Sequence, residues 1–390
     1  MYSRLLSSVF LPSLFLAIGS QIGSILLPLY LLDLGEGPAA ASFVTAGIGI
    51  GMVLFDIPAG FLASRFGDKS IMLYGAVVAA VTSVGIAFAT APLLLFLLAV
   101  VRGAGFTAWL LGLLSYLTES FPANQRGRAI AMMGGTMRVG ALVGPLVGGA
   151  IATAYGYNYA FLLASLLAIL GAAIIFSHRY SPHQRETSEH QAAMRFKQVL
   201  VSNRKVFATA GFASIGLQLM RAGRHLLIPL IGHMIGLDAA TIGIVFAISA
   251  AIDMALFYPV GAAMDRFGRK SMGVPCMTLF AIGLALLSYA DSFATLLAIA
   301  IVLGIANGLG SGIILTMGSD FAPQQRRGEF LGVWRFIGDA GHASAPIIIG
   351  GLVSFATLGA AALTIAAVGL GGALVLAFVV DETLGRARRN

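Results

Sequence analysis

The sequence has little charge and almost no cysteine. Only 10% of its 390 residues are charged, whereas a soluble domain carries about 25%. The one cysteine, Cys276, excludes an intramolecular disulfide bond. We find no Gly-Lys-Ser/Thr phosphate loop, no Gly-x-Ser-x-Gly turn, no zinc-type Cys/His spacing and no basic, aromatic nucleic-acid surface. We therefore expect no enzyme, no metal site, no cofactor and no nucleic-acid partner.

Long apolar runs dominate the chain instead. Hydrophobic residues make up 58% of it, and the mean hydropathy is +0.92. A helix needs about 20 apolar residues to cross the hydrocarbon core of a bilayer. Twelve runs have this length, at residues 8–32, 38–63, 71–90, 92–118, 128–154, 158–177, 206–232, 238–263, 272–290, 293–319, 329–353 and 357–380. We predict an all-α protein with twelve transmembrane helices in a lipid bilayer.

The basic residues predict the orientation of these helices. With a cytoplasmic N-terminus, 19 of the 24 Lys and Arg residues flank the cytoplasmic ends of the spans, and five lie inside spans. Basic flanking residues mark the cytoplasmic side of membrane helices. We therefore expect both termini in the cytoplasm and a multi-pass protein of a bacterial-type plasma membrane.

The two halves of the chain repeat each other. A shift of 201 residues brings Pro58 onto Pro259 and Arg65 onto Arg266, and it aligns further Gly, Pro and basic residues over six spans. Two halves with the same orientation are a known transporter architecture. The predicted domains are six-helix bundles at 1–177 and 206–390, joined by a cytoplasmic linker with a short amphipathic helix at 178–205.

One loop sequence occurs in both halves. Residues 261–270 read Gly-Ala-Ala-Met-Asp-Arg-Phe-Gly-Arg-Lys, and residues 60–69 read Gly-Phe-Leu-Ala-Ser-Arg-Phe-Gly-Asp-Lys. The first resembles the loop signature of the major facilitator superfamily between helices 8 and 9, and the second is its counterpart between helices 2 and 3. This resemblance implies a gating loop in which Gly261 permits close helix contact and Asp265 latches the outward-facing state. The motif residues are Gly60, Arg65, Gly67, Gly261, Asp265, Arg266, Gly268 and Arg269.

The first copy of the loop departs from the signature, because Ser64 stands where an Asp is expected and Asp68 where a basic residue is usual. We therefore expect the weaker latch in the first half.

A second signature lies in the fifth span. Residues 140–149 resemble the glycine-proline motif of the drug/proton antiporter branch of the superfamily, which implies export. Glycine and proline here also favour close helix packing without any link to export. We keep both interpretations, and the resemblance slightly favours export. The motif residues are Gly140, Gly144, Pro145, Gly148 and Gly149.

Eight charged residues fall inside predicted spans. They are Arg102, Arg138, Arg221, Arg224, Arg335, Asp56, Asp253 and Asp339. Each costs about 2.5–3.5 kcal/mol near the bilayer centre, so we expect them to face a wet cavity or one another. Residue depth and the helix arrangement of the superfamily imply the ion pairs Arg138–Asp253 and Asp56–Arg335, and Asp339 competes for Arg335.

We hypothesise that Asp253 or Asp339 carries a coupling proton, so that the proton gradient is the energy source. The alternative is a static ion pair without any transport role.

Further polar and aromatic residues are candidates for a substrate cavity. They are Arg102, Trp109, Gln21, Gln218, Arg221, Arg224, His225, Asn307 and His342. For Gln21 and Asn307 an interhelical hydrogen bond is the more ordinary interpretation, and the two histidines are equally compatible with a structural role. Five Arg against three Asp leave the interior of the spans positive, which suits anionic, zwitterionic or neutral amphiphiles better than lipophilic cations.

Three functions agree with these features. The leading one is proton-coupled export of small amphiphilic molecules, as in multidrug antiporters, by a monomer that switches access between the two sides of the membrane. The second is uptake or exchange of an organic anion or other metabolite. The third is a membrane sensor or scaffold without transport, although such a protein has no need for eight costly intramembrane charges.

Overall fold

A computed structural model describes residues 9–121, 123–178 and 198–384. Every regular element within these ranges is a helix. The predicted amphipathic helix of the linker lies mostly outside the described residues. Of its apolar patch, Val199, Leu200 and Val201 are described, and they lie in a helical stretch.

The first six helices, up to the linker, are closely spaced. They are α1 Leu11–Asp33, α2 Pro38–Phe66, α3 Asp68–Phe88, α4 Pro92–Ser120, α5 Ala123–Tyr155 and α6 Tyr157–Ser177.

The six helices after the linker follow a π-helical turn, Phe207–Gly211, and the tenth of the chain has two parts. They are α7 Phe212–Met234, α8 Ala239–Phe267, α9 Arg269–Leu286, α10a Phe293–Leu309 with α10b Ile313–Phe321, α11 Arg327–Val353 and α12 Leu358–Phe378.

The chain divides into two compact units. The first unit comprises Met1–Ser188 and Gly236–Ala247, and the second comprises Glu189–Ile235 and Ile248–Asn390. The beginning of α8 therefore belongs to the first unit and its remainder to the second.

The helix bounds repeat at the offset of the sequence repeat. α1 begins at Leu11 and α7 begins 201 residues later, at Phe212. The same interval separates both ends of α6 from both ends of α12. Two matching sets of six helices are the predicted fold, and this prediction is confirmed.

Eleven described helices are long and apolar enough to cross a membrane. α7, with 23 residues, is as long as α1, but Gln218, Arg221, Arg224 and His225 make it more polar. Each predicted span therefore corresponds to a helix of membrane-spanning length, and the chain is a multi-pass membrane protein.

Candidate functional site

The tenth helix is broken in its middle. α10a ends at Leu309, α10b begins at Ile313, and Gly312 between them has a φ of +77°. Glycine adopts this left-handed conformation at no steric cost. The predicted continuous span 293–319 is thus interrupted, and the signal for the interruption is the alternation of glycine along 308–312.

Arg221 of α7 donates three hydrogen bonds around this break. Its Nη2 donates to the carbonyl oxygen of Gly310 at 2.9 Å, and its Nε donates to Asn307 Oδ1 at 3.0 Å. Its Nη1 donates to Gln218 Oε1, one turn away on α7, at 3.2 Å. Three predicted cavity residues are therefore in direct contact, and the Gly310 carbonyl accepts from Arg221 as well as from the backbone N–H of Ile313 at 3.3 Å.

Asp253 of α8 lies at the same break. Only 7% of its surface is exposed, and the Ser311 hydroxyl donates to its Oδ1 at 3.2 Å. Arg221 and Arg224 both interact electrostatically with this carboxylate. A hydroxyl donor and two neighbouring cations are partners of the kind that an acid inside a membrane requires.

Arg224 is a second arginine of α7, and it is buried, with 4% of its surface exposed. Its Nη2 donates to Ser249 Oγ at 2.8 Å, and the Ser249 hydroxyl donates in turn to the carbonyl oxygen of Ala300 at 2.5 Å. This relay joins α7, α8 and α10a. Ser249 is absent from the predicted site, because an isolated serine in an apolar span carries no recognisable signal.

Asp339 and Arg335 form an ion pair along α11. Arg335 Nε lies 3.2 Å from Asp339 Oδ2. His342 interacts electrostatically with Asp339 and with Arg221, and His225 interacts with Arg224 and His342.

The second unit therefore brings nine predicted residues into one polar cluster. They are Gln218, Arg221, Arg224, His225, Asp253, Asn307, Arg335, Asp339 and His342.

The first unit contains one fully buried arginine, Arg102 of α4, among the described residues. Its Nη1 donates to Ser83 Oγ at 2.7 Å and its Nη2 to the carbonyl oxygen of Gly19 at 2.9 Å. The guanidinium group lies over Gly23, where an added Cβ would overlap it. Both acceptors are neutral, so Arg102 connects α1, α3 and α4 through polar contacts that do not depend on an acid.

The other predicted cavity residues of this unit pack within the bundle. Trp109 is 2% exposed, and its ring lies 5.7 Å from that of Phe106. Gln21 lies beside Gly144, whose added Cβ would be 2.7 Å from the Gln21 Cβ.

The two ion pairs predicted between halves, Arg138–Asp253 and Asp56–Arg335, join residues of different units and stay predictions. Within its own unit, Arg138 Nη1 donates to the carbonyl oxygen of Gly134 at 3.2 Å.

The glycine-proline motif of α5 packs closely against α1. A Cβ added at Gly140 would lie 2.6 Å from the Ala17 Cβ, and one at Gly148 would lie 3.0 Å from Ile22. Small residues of this kind let helix backbones approach each other in membranes.

The end of the same motif contacts the beginning of α8, which belongs to the first unit. Gly149 approaches the carbonyl of Ala239, and Gly243 approaches the carbonyl of Pro145, so closely that a Cβ would overlap each. The motif is therefore a packing surface for two helices.

Acids outside the predicted set hold the loop motif of the second half. Arg269 Nε lies 2.9 Å from Asp320 Oδ2, and both side chains are about one-eighth exposed, at 12% and 11%. The Thr383 hydroxyl donates to the same oxygen at 2.8 Å. Asp265, the predicted latch, has a side chain that is 79% exposed and lies 3.4 Å from Arg269. Within the second unit, Asp320 is therefore the closer partner of Arg269. In the sequence, the alignment of Asp320 with Glu119 in the repeat was the feature that could have indicated its role.

The carboxylate of Glu382 caps the N-terminus of α9. Its Oε1 accepts from the backbone N–H of Arg269 at 2.8 Å, and its Oε2 accepts from that of Lys270 at 3.0 Å. Burial raises the pKa of Glu382, but hydrogen bonds from the backbone N–H groups of Arg269, Leu384, Lys270 and Thr383 lower it further than burial raises it. The pKa of this carboxyl is therefore below its ordinary value.

The glycines of the two loop motifs have different roles. Gly67 and Gly268 precede α3 and α9 with φ of +81° and +98°, which explains the glycine in both copies. A Cβ added at Gly60 or Gly261 meets no atom within 4 Å. The close helix contact expected at Gly261 is thus not found among the described residues.

The basic residues of the loops lie near the helix ends. Arg65 and Arg266 each lie over the ring of the following phenylalanine, 5.4 and 5.1 Å from its centroid. Lys69 Nζ donates to the carbonyl oxygens of Phe176 and His178 at 2.9 and 2.8 Å. A cation at these carbonyls stabilises the C-terminus of α6.

The family follows from comparison with known proteins. The model of the Major Facilitator Superfamily matches residues 9–224 and 211–390. The chain belongs to this superfamily. An uncharacterized MFS-type transporter of Mycobacterium tuberculosis is 32% identical over 124 residues, which is 32% of this chain and 21% of that protein. The chain thus matches only about a fifth of that relative.

Solved structures of other transporters have the same fold. A POT family transporter in complex with a thioalcohol-conjugated peptide has a TM-score of 0.79 at 12% identity, over 96% of this chain and 95% of that chain. The D-xylose-proton symporter has a TM-score of 0.77 at 19% identity, over 98% and 99% of the two chains. At such low identity these likenesses concern the fold.

Proposed function

We propose that this superfamily member is a proton-coupled secondary transporter of the plasma membrane, which exports small amphiphilic molecules as a monomer by alternating access. The observation that carries the proposal is the buried carboxylate of Asp253, which accepts from Ser311 and attracts Arg221 and Arg224.

A proton at Asp253 removes a negative charge that attracts two arginines. Two conformations in which this attraction differs must then differ in proton affinity, because a ligand shifts an equilibrium by its differential affinity for the two states. Asp339, paired with Arg335, is the second candidate for the proton. The cluster therefore offers a physical route from a proton gradient to a change of conformation.

The direction and the substrate class have separate support. Residues 140–149 resemble the antiporter motif, which favours export. The arginines of the second unit favour anionic, zwitterionic or neutral amphiphiles, because like charges repel in a low-dielectric site.

Proton-driven uptake or exchange of an organic anion is the second candidate. Arg221 and Arg224 on neighbouring turns of α7 favour an anion, and a structural neighbour is a D-xylose-proton symporter.

Flux measured in proteoliposomes tests the proposal. Ethidium, chloramphenicol and taurocholate serve as cationic, neutral and anionic probes, first in a thermal-shift assay and then with an imposed pH gradient and a pH dye in the lumen. We expect chloramphenicol or taurocholate to stabilise the protein and to move against protons. Asp253→Asn reduces this flux at least about tenfold, the effect of losing one charged hydrogen bond.

The matched control is Asp291→Asn, which changes an acid in the loop between α9 and α10a. Unchanged proton-driven flux in both Asp253→Asn and Asp339→Asn contradicts the proposal. Movement of the probe together with protons favours symport, and a requirement for a counter-substrate favours exchange.

A further inference from the structure

The break of the tenth helix belongs to the second unit alone. The equivalent stretch of α4, residues 109–111, is continuous helix within Pro92–Ser120. Unwound backbone is expensive inside a membrane and persists only where other groups satisfy its polar atoms. Backbone hydrogen bonds satisfy part of the break, because the N–H groups of Gly310 and Ser311 donate to earlier carbonyls and the carbonyl of Gly310 accepts from Ile313 at 3.3 Å.

Arg221 adds side-chain contacts to these backbone bonds. Its guanidinium group reaches a carbonyl within the break, at Gly310, and a side chain before the break, at Asn307. Unwound carbonyls of transporters commonly coordinate a cation that drives transport. Here a tethered cation already occupies this position, and it would repel a free metal ion.

The break also contacts the acid, Asp253. Gly310 accepts from Arg221, and the next residue, Ser311, donates to Asp253. Arg221 and Asp253 are therefore connected through one peptide bond of the break. Asp253 accepts from the hydroxyl of Ser311 and interacts electrostatically with the two arginines of α7 and, from α9, with the thiol of Cys276.

α10b, the second part of the tenth helix, borders a small apolar pocket. Ile313 and Ile314, the first residues of α10b, line a pocket inside the second unit together with Ser214, Met317 and Trp334. The first residues of α10b therefore border apolar side chains of α7 and α11, and the Trp334 indole N–H donates to the carbonyl oxygen of Ile314 at 2.9 Å.

We propose that Arg221 is a positioning residue, which clamps the broken helix so that Ser311 stays on Asp253 and protonation of Asp253 loosens the break. This inference rests on the proposed function only for the identity of the coupled ligand, the proton. A neutral Asp253 no longer attracts Arg221, and its bond with Ser311 loses the strength that charge gives it. The break and the acid then change state together.

The chain contains its own reporter for this step. Cys276 is the only cysteine of the sequence, it is buried, and its Sγ lies 2.5 Å from a Cβ added at Gly310. Alkylation of Cys276 by N-ethylmaleimide therefore measures how often the break opens. Cys276→Ser has no thiol and gives the background signal of the assay.

Alkylation is compared at one fixed pH in proteoliposomes, with Arg221→Gln, Arg221→Lys, Ser311→Ala and Asp253→Asn. Loss of a neighbouring cation alone slows alkylation, because it disfavours the thiolate. We expect the opposite, an increase of about fivefold or more in Arg221→Gln and Asp253→Asn, as the hydrogen bonds of the clamp are lost. Arg221→Lys restores part of the wild-type rate, and the exposed Arg326→Gln leaves it unchanged.

The pH profile of flux gives the second readout. Arg221→Gln moves the midpoint of this pH profile upward by about one pH unit, because without the cation Asp253 is protonated at a higher pH. Lower flux with an unchanged midpoint and unchanged alkylation overturns the positioning role. If the wild type itself shows no proton-dependent flux, the proposed function fails, while the alkylation series still decides whether Arg221 clamps the break.

Discussion

The two units bury arginine in opposite arrangements, although their helices match at a constant offset. In the first unit Arg102 on α4 lies over Gly23 on α1. In the second unit the position equivalent to Gly23 is Arg224 on α7, and the position equivalent to Arg102 is Leu303. The buried arginine that occupies these two repeat positions therefore comes from the fourth helix in the first unit and from the first helix of the repeat, α7, in the second.

The partners differ as well. Arg102 donates to a serine and a carbonyl, so its contacts do not change when a proton binds. Arg221 and Arg224 interact with Asp253, so their contacts change with the charge of that acid. An intramembrane arginine thus has neutral partners in one unit, whereas in the other it interacts with an acid, on which the proposed switch depends.

The largest effect is expected at the break of the tenth helix, because the equivalent stretch of α4 is continuous helix. Gly312→Val places a β-branched residue at a φ of +77°, which costs about 2 kcal/mol or more. Its repeat mate, Leu111→Val, lies in continuous helix and costs less than about 1.5 kcal/mol. We expect a clear loss of thermal stability and of flux for Gly312→Val only.

Intrinsic fluorescence during heating measures this difference, because each unit contains one of the two tryptophans, Trp109 and Trp334. Equal shifts for the two substitutions contradict the view that the break distinguishes the units.

Much of this asymmetry was visible in the sequence, and part of it was not. Spans, repeat and intramembrane charges follow from composition and spacing, because the cost of exposing polar groups to lipid is large. Asp253, Arg221 and Asn307 were candidates for the same reason. The pairing of Arg335 with Asp339 was one of two predicted for this arginine, and it forms across one turn of α11, while the pairing with Asp56 stays a prediction.

Other features depend on packing that no local pattern encodes. The break at Gly312 looks like ordinary small-residue packing in a chain with 49 glycines. Ser83, Ser249 and Ser311 become partners only because their helices meet at that depth. Glu382 follows the last helix, and nothing in its surroundings in the sequence indicates that it caps α9.

A smaller effect is expected where the first unit loses its fixed arginine. Arg102→Lys keeps the charge but cannot reproduce the two hydrogen bonds of the planar guanidinium group, to Ser83 and Gly19. We expect a loss of about 1–2 kcal/mol in the free energy of unfolding and no change in the pH midpoint of the remaining flux. A midpoint that moves as it does in Arg221→Gln shows that the first unit also takes part in the switch.

The smallest effect is expected at the N-termini of α3 and α9, where different acids interact with the positive end of the helix. α3 carries an acid in its first turn, Asp68, whereas α9 has none and borrows the carboxylate of Glu382. Because the pKa of Glu382 is lowered on folding, its stabilising contribution is complete above its ordinary value of 4.5 and is lost as the pH falls through the lowered value. Glu382→Gln should therefore cost about 0.5 kcal/mol near neutral pH, as expected for an exposed charge at a helix N-terminus, and the difference from the wild type should vanish in acid. Thermal unfolding over a pH series measures it, with Asp68→Asn as the matched change in the first unit. If the difference in stability between Glu382→Gln and the wild type stays constant with pH, Glu382 stabilises α9 through packing. Its negative charge at the N-terminus of α9 then has no stabilising effect.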